Sequence, residues 1–489
     1  MSETGTQPAL VREFQALLGP ERVLHDPAEL GVYECDGFPI ARGLPTLVVF
    51  PRETQEVAAC VRLARQHDLP LIPRGSGTGL MGGGVAFGGG VLVCTSQMTR
   101  IEKIDVANRV ALVQAGVRNT ALSDAVAGTP GGERLHFSPD PSSQRAATVG
   151  GNAGTNAGGI NTLKYGVTTN HILGMEVVLP TGEVVTTRGG GLQDGIGPDL
   201  SGLLCGSEGT LAIITRLWCR LVPRPTGVRT VYAVFDSSRA ACLSVSETIA
   251  SGIIPTSMEM MDGAMIRVVE DAFHYGFPTW AQALLLIELD GVEAGLDPQI
   301  AQVSDICRAC GATDVQSCSD PARRAELWSA RKRAFGAIGR ISPGYCTQDA
   351  CVPRSKLPEA IERIGEIGRQ YGLTITNVFH AGDGNVHPIL LFDEDNPDDV
   401  DRTMAVSEDI LEYCLSIGGT VTGEHGVGVE KLPLMKKMFN QPTLAAFGRI
   451  KRSFDPEARL NEGKLIPSDR VQISLHRPAA TGVAGGALS

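Results

Sequence analysis

A chain of 489 residues is too long for one hydrophobic core and is expected to divide into two or three domains. Its 43 basic residues against 54 acidic ones leave a formal charge of −11, which argues against a nucleic-acid partner, since that would call for a basic face. The hydrophobic fraction of 43% is ordinary for a globular protein, but the 59 glycines exceed the roughly 7% of an average chain, and they cluster.

The start, MSETGTQPALVREFQALLG, has no basic opening followed by an apolar run, so no signal peptide is expected. No apolar stretch approaches the ~20 residues of a membrane span. A cytoplasmic chain is expected, with its 12 cysteines reduced. Cys307 and Cys310 make a lone C-x-x-C that, even with Cys318, lacks the four-cysteine spacing of an iron–sulfur centre.

Leu10, Phe14, Leu17 and Leu18 recur at helical spacing, which makes residues 1–44 an N-terminal helical segment. PTLVVFPRETQEVAACVRLARQHDLPLIPRGSGTG then predicts strand, helix, strand and glycine loop. Thr54 is the expected N-cap, and Val57, Val61 and Ala64 share a helical face. Strands are predicted at 91–95, 109–115, 172–179 and 184–187, and again in TLAIITRLWCRLV. PRPTG at 223–227 marks a domain boundary. Beyond it VRTVYAVF and QALLLIELDG read as strands, and 238–250, 299–310 and 321–338 as helices, the alternation of an α+β domain. Helix 356–371, a strand into His380, a returning strand 387–392 and helix 399–416 complete that domain. Residues 418–467 form a further stretch, followed by a poorly ordered tail at 468–489.

Three glycine-bearing blocks invite a ligand. In PRGSGTGLMGGG, Gly75, Gly77 and Gly79 let consecutive backbone N–H groups converge on an anion, with hydroxyls from Ser76 and Thr78. A G-x-G-x-x-G match at Gly77, Gly79 and Gly82 lacks the following helix that a nicotinamide site requires. SPDPSSQRAATVGGNAGTNAGGINTLKYG offers Gly150, Gly151, Gly154, Gly158 and Gly159 as a second surface for a large flat ligand. CGSEGTLAIIT supplies a third.

HAGDGNVH, residues 380–387, adds chemistry. With Asp383-Gly384 as the centre of a two-residue hairpin, 382 faces 385 and His380 faces His387, Cβ atoms about 5 Å apart. Both imidazoles then reach one cation, and Glu424 of GEHG is an available carboxylate for an N,N,O site with open positions. Such a site also suits a metal-dependent hydrolase.

PRGSGTG, ATVGGNAGTNAGG and GSEGTLAIIT, in that order over residues 45–222, resemble the FAD domain of the vanillyl-alcohol-oxidase type, with Ala212 where that pattern often has Gly. The resemblance implies FAD held by Pro73, Arg74, Gly75, Ser76, Gly77, Thr78, Gly79, Thr148, Gly150, Gly151, Asn152, Thr155, Asn156, Gly158, Gly159, Glu208, Gly209 and Ile213. The flavin is expected to be noncovalent, since RGSGTG lacks the His that tethers it in several relatives. FHAGDGNVHP, GGTVTGEHGVGVEK and FDPEARLNEGKL resemble the C-terminal half of FAD-linked D-2-hydroxy-acid dehydrogenases. GRISPGYCTQDACVPRSKLP points within that family towards the flavin subunit of bacterial glycolate oxidase.

What the family implies is an α+β chain: a two-part FAD-binding domain at 45–224, an α+β substrate and metal domain at 225–417, and a segment at 418–467 returning to the flavin. It implies a divalent metal, usually zinc, on His380, His387 and Glu424, a general base at His425, and Asn461 near the flavin. Arg331 in LWSARKRAF is expected to grip the substrate carboxylate, with Lys431 as a second positive group. The implied reaction oxidises a small 2-hydroxy acid, glycolate or D-lactate, by hydride transfer to flavin N5. A second flavin subunit and an iron–sulfur subunit would accept the electrons. A stand-alone D-lactate or D-2-hydroxyglutarate dehydrogenase is the nearest alternative, and a noncatalytic flavin electron relay a more distant one.

Overall fold

The computed structural model describes residues 6–188 and 197–468, together with 470, 473 and 475, so most of the expected tail lies outside the described residues. Three larger sheets succeed one another along the chain. In the first, Leu47–Val49 and Leu71–Arg74 both run parallel to Val91–Cys94 between them, and Val23–Leu24 pairs antiparallel at one edge. The helix Thr54–Gln66 connects the two outer parallel strands and buries Val57, Val61 and Ala64 against the sheet. Thr54 is the first helical residue and not the cap. Its hydroxyl donates to Glu176 at 2.5 Å and accepts from Arg216 at 2.8 Å, so the stronger charged partners in the next sheet take it from the helix end.

The second sheet is antiparallel, in the order Ile101–Asp105, Val110–Gln114, Ile213–Arg220, Ile172–Val178, Val184–Thr186. Its edge strand IEKID escapes a pattern reading because none of its side chains is fully buried.

The third sheet has nine strands and begins at Gly227–Phe235. Val231, Ala233 and Phe235 of that strand enter the core on one face, and Tyr232 and Val234 the core on the other. The period-2 alternation of a strand thus delivers apolar side chains to both faces, which is why VRTVYAVF and ALLLIELDG read as near-continuous apolar runs. Helices Ser238–Ala250, Leu296–Ala309, Leu357–Tyr371 and Pro397–Ser416 cover one face, and Gly263–Phe273 and Pro321–Ile338 the other. The strand Ser257–Asp262 and the helix after it go unpredicted, because SMEMMD carries methionine where β-branched residues would signal a strand.

Candidate active site

A cavity of ≈ 400 Å³ opens between the sheets. The three glycine blocks converge on it: residues 73–84 from the end of strand Leu71–Arg74, residues 147–158, and the turn before strand Ile213–Arg220. Sixteen of the residues expected at the flavin line it, namely Pro73, Arg74, Gly75, Ser76, Gly77, Thr78, Gly79, Thr148, Gly150, Gly151, Asn152, Thr155, Gly158, Glu208, Gly209 and Ile213. Gly77 has φ +76°, and the space a side chain would fill is taken by the Arg74 guanidinium, which donates to the carbonyls of Cys35 and Gly84 and so braces the loop. The second block forms a short helix, Val149–Thr155, capped by the Thr148 hydroxyl, which accepts from Gly151 N–H at 3.1 Å. The amide nitrogen of Asn152 is buried on this wall with no hydrogen-bond partner, and a Cβ on Gly154 would meet nothing within 4 Å. Both features fit a polar ligand lying along the helix.

Three expected flavin residues stand behind the wall. Asn156 ends the helix in the left-handed region (φ +54°), its side-chain oxygen accepting from Thr169 N–H. A side chain at Gly159 would collide with the carbonyl of Asp140, so this glycine serves close packing. Asn461 donates its amide to the carbonyls of Gly83 and Glu208, holding two lining segments in place. Glu208 lines the cavity, yet its carboxylate accepts from the N–H groups of Val427 and Gly428, each at 2.7 Å, and burial pushes its pKa up to about 7. Its side chain therefore ties the C-terminal segment to the flavin wall.

His380, His387, Glu424 and His425 line the same cavity. The strand Thr374–His380 carries the first of them, but the hairpin differs from expectation. His380 pairs with Asn385 across a four-residue loop, and Asn377 with Pro388, so His380 and His387 are diagonal neighbours on one face. Their rings still meet, at 5.1 Å between centroids. His380 Nε2 lies 3.1 Å and His387 Nε2 3.4 Å from the same oxygen of Glu424. On the other side His380 is paired across strands with Glu259, to which its Nδ1 hydrogen-bonds at 2.6 Å. His387 Nδ1 is 3.1 Å from the carbonyl of Gln348. A carbonyl can only accept, so Nδ1 donates to it, and Nε2 is the nitrogen turned towards Glu424.

Two overlapping triads bring ligand atoms within 4.8 Å of one another: His380, His387 and Glu424, and Asp349, His387 and His425. The second is already committed. Asp349 accepts from Thr422 Oγ1 at 2.6 Å and from the backbone N–H groups of Gly423, Glu424 and His425, with Lys431 Nζ at 3.4 Å. The first keeps two imidazole nitrogens and a carboxylate oxygen turned towards one another, the donor set of a divalent-cation site with open positions. Gly158 makes this possible: a Cβ there would sit 2.5 Å from Glu424 Oε2.

Electrostatics separate the histidines. Burial opposes a charge on His380, but Glu259 and Glu424 on either side raise its pKa well above the ordinary value. Burial would likewise raise Glu424, yet His380 and His387 hold it low. His425 is pushed by burial down to about 4, a fall that Asp349 opposes and His387 reinforces. Its ring stacks on His387 at 5.0 Å and 6°. It is therefore neutral at physiological pH, and with Nδ1 buried and unpartnered, Nε2 is the nitrogen left to face the cavity.

Arg331, from helix Pro321–Ile338, also lines the cavity although it is only 1% exposed. Its Nε donates to Glu259 at 2.7 Å, its only hydrogen bond among the described residues, so both terminal nitrogens stay available to an anion. Lys431, the second expected cation, is not at the cavity: its side chain is 0% exposed, beside Asp349 and the carbonyl of Gly426. Glu259 and Asp349, which hold Arg331, His380 and the backbone of Glu424 and His425, are residues of this site that the sequence reading missed. The only cue to either is a carboxylate inside an otherwise apolar or small-residue run, SMEMMD and CTQDACV.

The sequence family described as FAD linked oxidases, C-terminal domain, matches residues 224–465, and the FAD binding domain family matches residues 45–188. The glycolate oxidase subunit GlcD of Escherichia coli is 44% identical over 460 residues, covering 94% of this chain and 90% of that one. A mitochondrial D-lactate dehydrogenase [cytochrome] of Arabidopsis thaliana is 31% identical, covering 88% and 75%. Among solved structures, p-cresol methylhydroxylase with substrate bound superposes with a TM-score of 0.80 over 96% of this chain and 98% of that one, at 19% identity, which shows a shared fold.

Proposed function

The chain belongs to the FAD-linked oxidase family, and from that premise we propose that it oxidises a small 2-hydroxy acid, glycolate or D-lactate, to the 2-oxo acid. The observation that carries this is that the glycine blocks and the His380–His387–Glu424–His425 group line one cavity. A noncovalent FAD suits the first loop, RGSGTG, which holds no histidine. His380, His387 and Glu424 would hold a divalent cation, zinc being the choice for two imidazoles and a carboxylate. When bound, the flavin supplies a two-electron acceptor and the cation the charge that makes an alcohol acidic.

The chain's own residues do the rest. Arg331 offers its terminal nitrogens to the substrate carboxylate, and Glu259 fixes that guanidinium. His425, neutral and with Nε2 towards the cavity, takes the hydroxyl proton. Glu259 also fixes the tautomer of His380, so one carboxylate aligns the carboxylate-binding and cation-binding groups. Glu259→Gln is therefore expected to weaken divalent-metal retention about 10–100-fold, read by competition against a chelator.

Electron transfer onward calls for partners. GlcD is named a subunit of glycolate oxidase, and we infer a second flavin subunit and an iron–sulfur subunit as acceptors for this chain too. No helix among the described residues is long and apolar enough to cross a membrane, which suits attachment through such partners. The decisive experiment mixes the flavin-loaded protein anaerobically with glycolate, D-lactate, L-lactate or D-2-hydroxyglutarate and follows bleaching of the flavin. Glycolate or D-lactate should bleach it, and chelation should abolish the effect. Bleaching that survives complete metal removal would sink the metal-assisted part.

A further inference from the structure

The groups assigned so far grip a 2-hydroxy acid at its carboxylate and hydroxyl and leave its side chain unaccounted for. Arg331 and Phe335 lie one helical turn apart and both line the cavity. Tyr345 and Thr347 alternate along the strand Gly344–Thr347, so they share a face, and both line the same cavity. The rings of Phe335 and Tyr345 approach to 6.3 Å between centroids at 40°. Exposure rises along this wall from 1% at Arg331 to 38% at Tyr345. A carboxylate held at Arg331 thus lies deep, and an aromatic surface leads away from it towards solvent.

We propose that Phe335 and Tyr345 form the subsite for the substrate's side chain and select 2-hydroxy acids with an apolar or aromatic substituent, an inference that rests on the oxidase reading above. A side chain that lengthens towards the mouth runs past these two rings, so each added methylene gains apolar contact. The Tyr345 side chain makes no hydrogen bond or ion pair among the described residues, and its ring meets that of Phe335, so it is free to act as a contact surface. The cation at this rim is Lys332, next to Arg331 in the helix and exposed. It is the group a distal carboxylate would need, and it gives the competing specificity a distinct test.

The test uses the flavin-loaded protein with glycolate, D-lactate, D-2-hydroxybutyrate, D-2-hydroxyvalerate, D-phenyllactate and D-2-hydroxyglutarate. Across the apolar series kcat/KM is expected to rise about fourfold per methylene, the ratio that burial of one CH₂ gives. The corresponding 2-oxo acids, titrated calorimetrically, should show the same trend in Kd without turnover. Phe335→Ala and Tyr345→Ala should each lower the ratio of long to short substrate at least tenfold in both measurements, with bound-flavin absorbance retained. Tyr345, on the surface, keeps the test open should the Phe335 variant fail to fold. A flat wild-type series, or variants that keep the wild-type ratio, overturns the subsite. So does a preference for D-2-hydroxyglutarate that Lys332→Met removes. If no acid bleaches the flavin, the oxidase reading falls, whereas a chain-length trend in 2-oxo-acid binding would still support the aromatic contact.

Discussion

His425→Ala is expected to slow substrate-driven flavin reduction roughly 10²–10⁴-fold, the contribution of a positioned general base. Flavin and metal content should be unchanged, measured by absorbance and elemental analysis. The argument is one of position and charge. His425 follows Glu424 directly, so the turn that would bring the cation a carboxylate brings the base within reach of whatever oxygen the cation polarises. Burial holds its pKa near 4, and the parallel ring of His387 discourages a proton further, so the imidazole is ready to accept one. Because Nδ1 is buried and bonds to nothing among the described residues, the loss of the ring breaks no hydrogen bond there, and a slow variant reports lost proton transfer rather than a collapsed loop. Stopped-flow reduction separates the step from later electron transfer. Wild-type bleaching in the variant would assign the base elsewhere, and unchanged turnover with native partners would favour the electron-relay alternative.

Side chains that act through a repeated or spaced motif were legible in the sequence; those that act alone across long separations were not. The glycine blocks pointed to one shared ligand wall, because close backbone approach favours glycine, and they do line one cavity. HAGDGNVH announced two imidazoles on one face. The register was misread, since Asp-Gly suggests a two-residue turn, whereas Ala381–Asp383 form a turn of 3-10 helix and Gly384 closes the loop at φ +71°. Tertiary packing decides this: a Cβ on Gly382 would strike the Leu163 side chain at 2.5 Å, so the loop is shaped by the neighbour it sits on. Arg331 was singled out for its guanidinium and its W-x-x-R setting, and it lines the cavity, but its Glu259 partner, 72 residues away, left no local pattern. Lys431 was misplaced for the same reason. A basic residue just after GVGVE looks like a ligand for an anion until Asp349 is known to lie beneath it.

Asp349→Ala is expected to destabilise the C-terminal half by about 3–5 kcal/mol, the cost of stranding a buried charge, here Lys431. Denaturant unfolding measures it. Asp349 and Lys431 are both 0% exposed, so solvent rescues neither when the other goes, and Lys431 keeps only the more distant Glu430 carboxylate at 3.9 Å. His425, Lys431 and His387 hold the Asp349 carboxyl far below its usual range against the opposing effect of burial, which keeps it a full anion under the turn. That anion collects three successive N–H groups, of Gly423, Glu424 and His425, and the Thr422 hydroxyl, and so sets the backbone from which the Glu424 and His425 side chains project. Stability and site geometry therefore depend on one carboxylate for different reasons, and a paired substitution separates them. Asp349→Asn with Lys431→Met removes both charges and should recover much of the lost stability: the buried Glu430 carboxyl, 3.9 Å from Lys431 Nζ, loses its cation too, but burial already raises its pKa and lets it take up a proton. The amide offers its single oxygen where the carboxylate offered two, so the turn stays loosened and metal retention and flavin reduction should remain impaired. Full recovery of both by the double variant would mean that Asp349 serves only as the counter-ion of Lys431 and that Glu424 and His425 are positioned by something else.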